Sequence, residues 1–227
     1  MTDGGRPGPD PMTIDPLSDR LPASVGLRAV TYRPAAAAQW RDWLSGEERA
    51  CVDAFGAESR RREFLAGRAA ARLLLADRLS TTPGAVPLRR HEDGGVDVGA
   101  EPWHVSIAHS GPHAIAAAAP HAVGADLERI QPRDPAVATF LFRAEDRGLV
   151  DRLPYGADAA LILCWALKEA VLKARRSGFR TSPKALRLTV DPEAATARVE
   201  IEGEAPWHVP YARLDGYWGA VAVPEAP

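Results

Sequence analysis

The chain has 227 residues, enough for one large domain or two small ones around a buried core. Lys and Arg number 28 against 30 Asp and Glu, so the net charge is near zero, which argues against a general nucleic-acid binder. No apolar run approaches the ~20 residues that span a bilayer, and the opening residues, rich in Gly, Pro and Asp, lack the apolar stretch of a signal peptide.

Residues 1–20 read as a disordered tail, with folding starting near Leu21. Ser45-Gly46-Glu47-Glu48 is a capping box and opens a helix. A longer helix fits 58–79, with Phe64, Leu65, Leu73 and Leu75 as core contacts, and Pro83-Gly84 ends the helical region. Short strands are expected at 86–89, 103–108, 114–118 and 123–127, punctuated by Gly, Pro and Asp. A second helical stretch covers 135–149, and a third covers 157–176, stopping at Gly178. The remainder reads as a β-meander at 185–190, 197–201, 207–212 and 217–223. Cys51 and Cys164 are far apart in apolar helical patterns, which reads as two reduced core thiols and a cytoplasmic protein.

Part of the chain repeats. Pro102-Trp103-His104-Val105 returns as Pro206-Trp207-His208-Val209, and the same offset pairs Ala108 with Ala212, Ala116 with Ala220, Ala118 with Ala222 and Pro120 with Pro224. The expected fold is therefore α+β: a pseudo-twofold pair of similar halves, residues 21–121 and 122–227, each with helices packed on an antiparallel sheet. Such a pair makes a cleft between its halves, where ligands commonly bind.

Four clusters carry chemistry. In Gly124-Ala125-Asp126-Leu127-Glu128, strand alternation puts both carboxylates on one face. Alone, such a pair is most often a solvated strand end. With a hard cation between them, the carboxylates make a Mg²⁺ site completed by water and phosphate oxygens. On a helix, Trp165, Glu169 and Lys173 share a face with Lys168 at its edge, and the tryptophan makes a fully wet face less apt. His109-Ser110 ends a β-run at a small-residue turn, which suits a phosphate contact or a capping histidine; no Gly-x-Ser-x-Gly elbow supports a hydrolase triad. Arg60 and Arg68 lie two turns apart on one helix face, and arginine matches phosphate with its planar fork.

The order His109-Ser110, Gly124-x-Asp126-x-Glu128, Trp165-x-x-Lys168-Glu169-x-x-x-Lys173 resembles the 4′-phosphopantetheinyl transferases. Within them it is similar to the larger monomeric class that activates surfactin synthetase, enterobactin synthetase and polyketide synthases. The resemblance spans roughly residues 44–223 and implies a pseudo-dimer of two α+β halves, in line with the repeat. It implies a soluble, Mg²⁺-dependent enzyme with coenzyme A as co-substrate and an apo acyl-, aryl- or peptidyl-carrier protein as acceptor, with adenosine 3′,5′-bisphosphate released. By this resemblance Asp126, Glu128 and Glu169 hold Mg²⁺, and Lys173 contacts the attacked phosphate. His109, Ser110 and Lys168 contact CoA, Arg60 and Arg68 grip its 3′-phosphate, and Glu145 matches a further acidic position. Glu169 is the expected base, acting directly or through a metal-bound water.

Two positions depart from the family pattern. Ala108 stands where a serine often precedes the histidine, and Gly94-Gly95-Val96 stands where Gly-Lys-Pro or Gly-Arg-Pro is frequent, with Arg89 or Arg90 as possible substitutes. Competing readings are a metal-dependent nucleotide phosphohydrolase and a carrier-binding module without activity.

Overall fold

The structure, a computed structural model, describes residues 9–91, 95–134, 136–177 and 180–225. The fold is α+β. Its N-terminal half runs β1 (Gly26–Thr31), α2 (Pro34–Asp42), α3 (Gly46–Ala54), α4 (Glu58–Leu79), β2 (Leu88–Arg90), β3 (Val96–Val98), β4 (His104–Ser110) and β5 (His113–Ala119), preceded by a short α1 (Asp15–Ser18). The C-terminal half repeats that order: β6 (Gly124–Arg129), α5 (Ala136–Leu141), α6 (Leu149–Arg152), α7 (Ala157–Ala174), then β7 (Arg187–Asp191), β8 (Thr196–Glu200), β9 (Trp207–Leu214) and β10 (Tyr217–Pro224).

The repeat holds at the level of strand register. β5 lies between β1 and β4, and β10 lies between β6 and β9, all antiparallel. His104 faces Ala119 and Ser110 faces His113; shifted by the spacing from Trp103 to Trp207, His208 faces Val223 and Leu214 faces Tyr217. The halves differ at one seam. β8 and β7 continue the C-terminal sheet to five strands, whereas β2 and β3 form a separate two-stranded ribbon.

Helix α4 begins and ends where its sequence pattern places it. Its Leu65 and Leu75 are buried, while Phe64 and Leu73 pack at the edge of the same cluster. The capping box at α3 is formed: Ser45 Oγ accepts from Glu48 N–H at 3.1 Å and Glu48 Oε2 accepts from Ser45 N–H at 2.9 Å. Helix α7 is apolar nearly all round and buries Ile162, Leu163 and Leu167 completely against the C-terminal sheet, each contributing about 1.5–3 kcal/mol. It ends at Ala174, with Arg175 and Arg176 in the turn that follows; Gly178, the expected stop, lies outside the described residues.

Between the sheets lies a third cluster built from both halves, including Ala108, Ile115, Ala125, Leu127, Ala212 and Val221. The amino-terminal segment closes its rim. Of the expected tail, residues 1–8 lie outside the described residues, but Leu17 is fully buried in this seam and Met12 beside it. Thr13 N–H donates to Asp215 Oδ2 at 3.3 Å. A composition rich in Gly, Pro and Asp thus concealed two apolar anchors, and that reading is corrected.

The expected helix at 135–149 is also corrected. Residue 135 lies outside the described residues, and the stretch divides into α5, a 3₁₀ turn at Ala144–Asp146 and α6. β1 and α2 precede the first helix expected from the sequence. β1 sits at the sheet edge, burying Gly26 and Val30 while Arg28 between them is exposed, and α2 is a short alanine-rich helix that buries Trp40.

Candidate active site in the cleft between the halves

A cleft of about 630 Å³ opens between the halves. One wall is the first part of α4, with Arg60, Glu63, Phe64, Gly67 and Arg68; the floor is β4; the other wall is the last two turns of α7.

Gly124 sets the approach of β6 to α7. A Cβ there would lie 1.9 Å from the Ala170 carbonyl oxygen and 2.4 Å from Ala174 N, so only glycine lets the strand sit so close. Gly26 opens β1 in the other half, where a Cβ would meet only the flexible side-chain ends of Leu74 and Arg78 of α4. The close approach brings Asp126 under α7, where Lys173 Nζ donates to Asp126 Oδ1 at 2.6 Å. The second oxygen, Oδ2, is buried with no hydrogen-bond partner among the described residues.

The neighbouring carboxylates repel. Burial, and then the charge of Asp126, push the Glu128 carboxyl up to about 7 against a usual 4.5, only partly offset by Arg133, whose guanidinium lies 2.9 Å away. Burial and Asp126 raise Glu169 as well, with Lys173 opposing. Among the described residues no three His, Cys, Asp or Glu side chains form a metal cage by themselves. The arrangement instead suits a cation that takes one or two protein carboxylates and completes its shell from elsewhere. An orphaned buried carboxylate oxygen beside two carboxyls with raised pKa fits such a cation.

On the opposite wall Arg68 is 5% exposed, with Nε 2.9 Å from Glu48 Oε1. The same Glu48 pairs with Arg72 at 2.5 Å, so the capping-box carboxylate also holds two buried guanidinium groups. Arg60 is exposed at the cleft and lies over the Phe55 ring, 5.4 Å from its centroid. His109 reaches out from β4 with Nδ1 3.7 Å from Glu63 Oε2; burial lowers its pKa, with Glu63 opposing and Lys173 adding to the fall.

Family models match both halves. Residues 122–222 match the 4′-phosphopantetheinyl transferase superfamily and residues 47–119 match the 4′-phosphopantetheinyl transferase N-terminal domain. The chain belongs to the 4′-phosphopantetheinyl transferase superfamily. It is 25% identical over 174 residues to the 4′-phosphopantetheinyl transferase psf-1 of Bacillus pumilus, covering 76% of this chain and 71% of that protein. It is also similar to the holo-[acyl-carrier-protein] synthase (AcpS) of Thermotoga maritima, with a TM-score of 0.40 and 18% identity, over 47% of this chain and 64% of that one.

For this phosphopantetheinyl transferase the structure gathers Arg60, Arg68, His109, Glu169 and Lys173 on the cleft wall, with Asp126 bonded to Lys173 just beneath. Two expected contacts lie elsewhere. Lys168 is 1% exposed, and its Nζ donates to Leu141 O at 2.6 Å and Pro183 O at 2.9 Å, over the Phe142 ring. Burial lowers its pKa to about 8. Arg72 is its counterpart in the N-terminal half, donating to Pro83 O and Val86 O. In each half a buried cation on the long helix ties down the carbonyl of a proline that opens a 3₁₀ turn.

Ser110 is likewise engaged: its Oγ accepts from Arg129 N–H at 3.2 Å, and Ser106 Oγ accepts from Ala125 N–H at 2.9 Å. These two serines stitch β4 to β6, because alternation sends 106 and 110 to one side and His109 to the other. Glu145 is exposed on the 3₁₀ turn. Arg90, one of the two arginines the sequence offered as a substitute phosphate contact, lines the cleft, as do Cys51 and Arg176, which the sequence reading did not place among the site residues. Gly94 lies outside the described residues.

Proposed function

We propose that the protein transfers the 4′-phosphopantetheine arm of coenzyme A to a serine of an apo acyl-, aryl- or peptidyl-carrier protein, releasing adenosine 3′,5′-bisphosphate. Family membership supports the reaction class. The observation that supports the placement is the Asp126–Lys173 pair: Asp126 Oδ2 is buried without a partner among the described residues, and Lys173 lines an arginine-rich cleft together with Glu169.

Asp126, Glu128 and Glu169 would hold Mg²⁺. When bound, a divalent cation neutralises charge on the donor's pyrophosphate oxygens. Lys173 positions the phosphate under attack and stabilises the charge that develops there. Glu169, whose carboxyl is raised by burial and by the charge of Asp126, is the base for the acceptor serine hydroxyl. His109 flanks the phosphates, and Arg60 and Arg68 face the 3′-phosphate. A bidentate arginine contact discriminates phosphate geometry better than a lysine point charge.

The units of this reading are the halves 21–121 and 122–227, which supply opposite walls, so one chain suffices and a monomer is proposed. Among the described residues no helix is long and apolar enough to cross a membrane. Cys51 and Cys164 are free thiols, in keeping with a reducing, cytoplasmic setting. The test is release of adenosine 3′,5′-bisphosphate from CoA with and without apo-carrier. Carrier-dependent release is expected. Release of the same amount without any acceptor would make the protein a nucleotide phosphohydrolase.

A further inference from the structure

The cationic end of the cleft has contributors from both halves. Arg60 and Arg68 come from α4 and Arg90 from β2, while Arg176 arrives from the end of α7 in the other half. Arg90 and Val96 are register partners in the β2–β3 ribbon, and Arg90 Nη1 donates to Cys51 Sγ at 3.1 Å. Arg68 feels the charge of Arg90. Arg176 reaches across to the same ribbon, where its guanidinium pairs with Asp97 and one Nη donates to Val96 O at 3.5 Å.

The backbone beneath Arg176 is unusual. Its φ is 53°, the left-handed conformation that glycine adopts freely and a branched-off Cβ resists. Its N–H donates to Lys173 O at 3.0 Å and the next residue's N–H donates to Leu172 O at 3.2 Å, which is the Schellman closure usually made with glycine. Arginine there gains nothing for the helix end that glycine would not supply better. What it gains is direction: the turn projects the side chain across the cleft to Val96 and Asp97 on the β2–β3 ribbon. The charge balance of the lining says what belongs there. Among the described residues Arg60, Arg68, Arg90, Lys173 and Arg176 line the cleft with two carboxylates, Glu63 and Glu169; Arg68, Lys173 and Arg176 also meet Glu48, Asp126 and Asp97 behind that lining. Several guanidinium groups converging on one concavity suit a multiply charged anion.

We infer that Arg176, steadied by Asp97, is a donor-binding residue contributed by the C-terminal half that completes, with Arg90 and Arg68, the seat of the terminal 3′-phosphate of CoA. This rests on the proposed transferase function. Asp97 holds the guanidinium in place before the donor arrives, so less side-chain entropy is lost on binding.

Glycine is the informative substitution, because it removes the side chain while relieving the left-handed backbone. Arg176→Gly is expected to keep or raise the melting temperature, yet raise the calorimetric Kd for CoA about tenfold, about 1.4 kcal/mol. It should also narrow the preference for CoA over 3′-dephospho-CoA. Asp97→Asn, which breaks the cross-cleft pair but leaves the arginine, is expected to bind CoA within about threefold of wild type, about 0.7 kcal/mol. Wild-type affinity for CoA in Arg176→Gly would overturn the inference. So would equal losses in Arg176→Gly and Asp97→Asn, since the pair would then be a clamp between halves. Because Kd is read without an acceptor, wild type that binds CoA but transfers nothing would defeat the functional reading and leave this test standing.

Discussion

Lys173 Nζ lies 2.6 Å from Asp126 Oδ1, while Oδ2 of the same carboxylate is buried without a partner among the described residues. One oxygen thus meets the chain's own cation and the other is buried, in a carboxylate whose charge opposes the ionisation of Glu128 and Glu169. A buried lone pair costs free energy unless something meets it, and a divalent cation is the species proposed to meet it. Asp126→Asn keeps the size and removes the charge. Turnover should fall roughly 10²–10³-fold, the equivalent of a few kcal/mol of lost charge stabilisation, with far-ultraviolet circular dichroism unchanged. Turnover near wild type would place the cation elsewhere.

Glu128 gives a pH signature. Its folded-state pKa of about 7 is raised above the usual 4.5. Between these values the folded chain binds more protons than the unfolded one, so stability falls as pH rises from about 4.5 to about 7. A bound cation reverses the preference by selecting the ionised form. Thermal melts should therefore show a larger gain from added Mg²⁺ at pH 7.5 than at pH 5, and Glu128→Gln should flatten that difference. An equal gain at both pH values would contradict the shift.

Lys168 is predicted to matter for folding. Lys168→Ala leaves Leu141 O and Pro183 O without their shared donor and opens space beside Phe142. Stability should drop by about 2 kcal/mol or more, roughly 4–8 °C in Tm for a chain of this size. Calorimetric affinity for CoA in the remaining folded protein should be close to wild type. A large loss of CoA affinity with an unchanged Tm would return Lys168 to the donor site.

The two α4 arginines should separate in the same way. Arg60 is exposed and touches only Phe55 among the described partners, so Arg60→Ala should raise KM for CoA by about tenfold, about 1.4 kcal/mol, with Tm unchanged. Arg68 also neutralises the buried Glu48, so Arg68→Ala should raise KM and lower stability by about 1–3 kcal/mol. Equal Tm values for the two variants would contradict the Glu48 account.

The legible part of the molecule is the part that local pattern dictates. Period and capping marked α3, α4 and α7, and the Trp103/Trp207 repeat foretold a duplication that the strand registers reproduce. Alternation put Asp126 and Glu128 together because strand geometry leaves no other choice. Long-range partners were not legible. Lys168 and Lys173 look alike on the helix, but one turns under α7 to backbone carbonyls and the other meets Asp126. Ser110 reads as a turn residue until β6 is laid beside β4. Leu17 was hidden because one buried leucine cannot outweigh a glycine- and proline-rich window. Arg176 was invisible because its partner lies across the cleft, in the other half.

The most direct test is the intact mass of an apo-carrier protein after incubation with CoA, Mg²⁺ and this enzyme. The account predicts a gain of one phosphopantetheine arm on a single serine, strongly slowed with Asp126→Asn and absent in chelator. No gain on acyl-, aryl- or peptidyl-carriers, with CoA binding demonstrated in the same preparation, would contradict it.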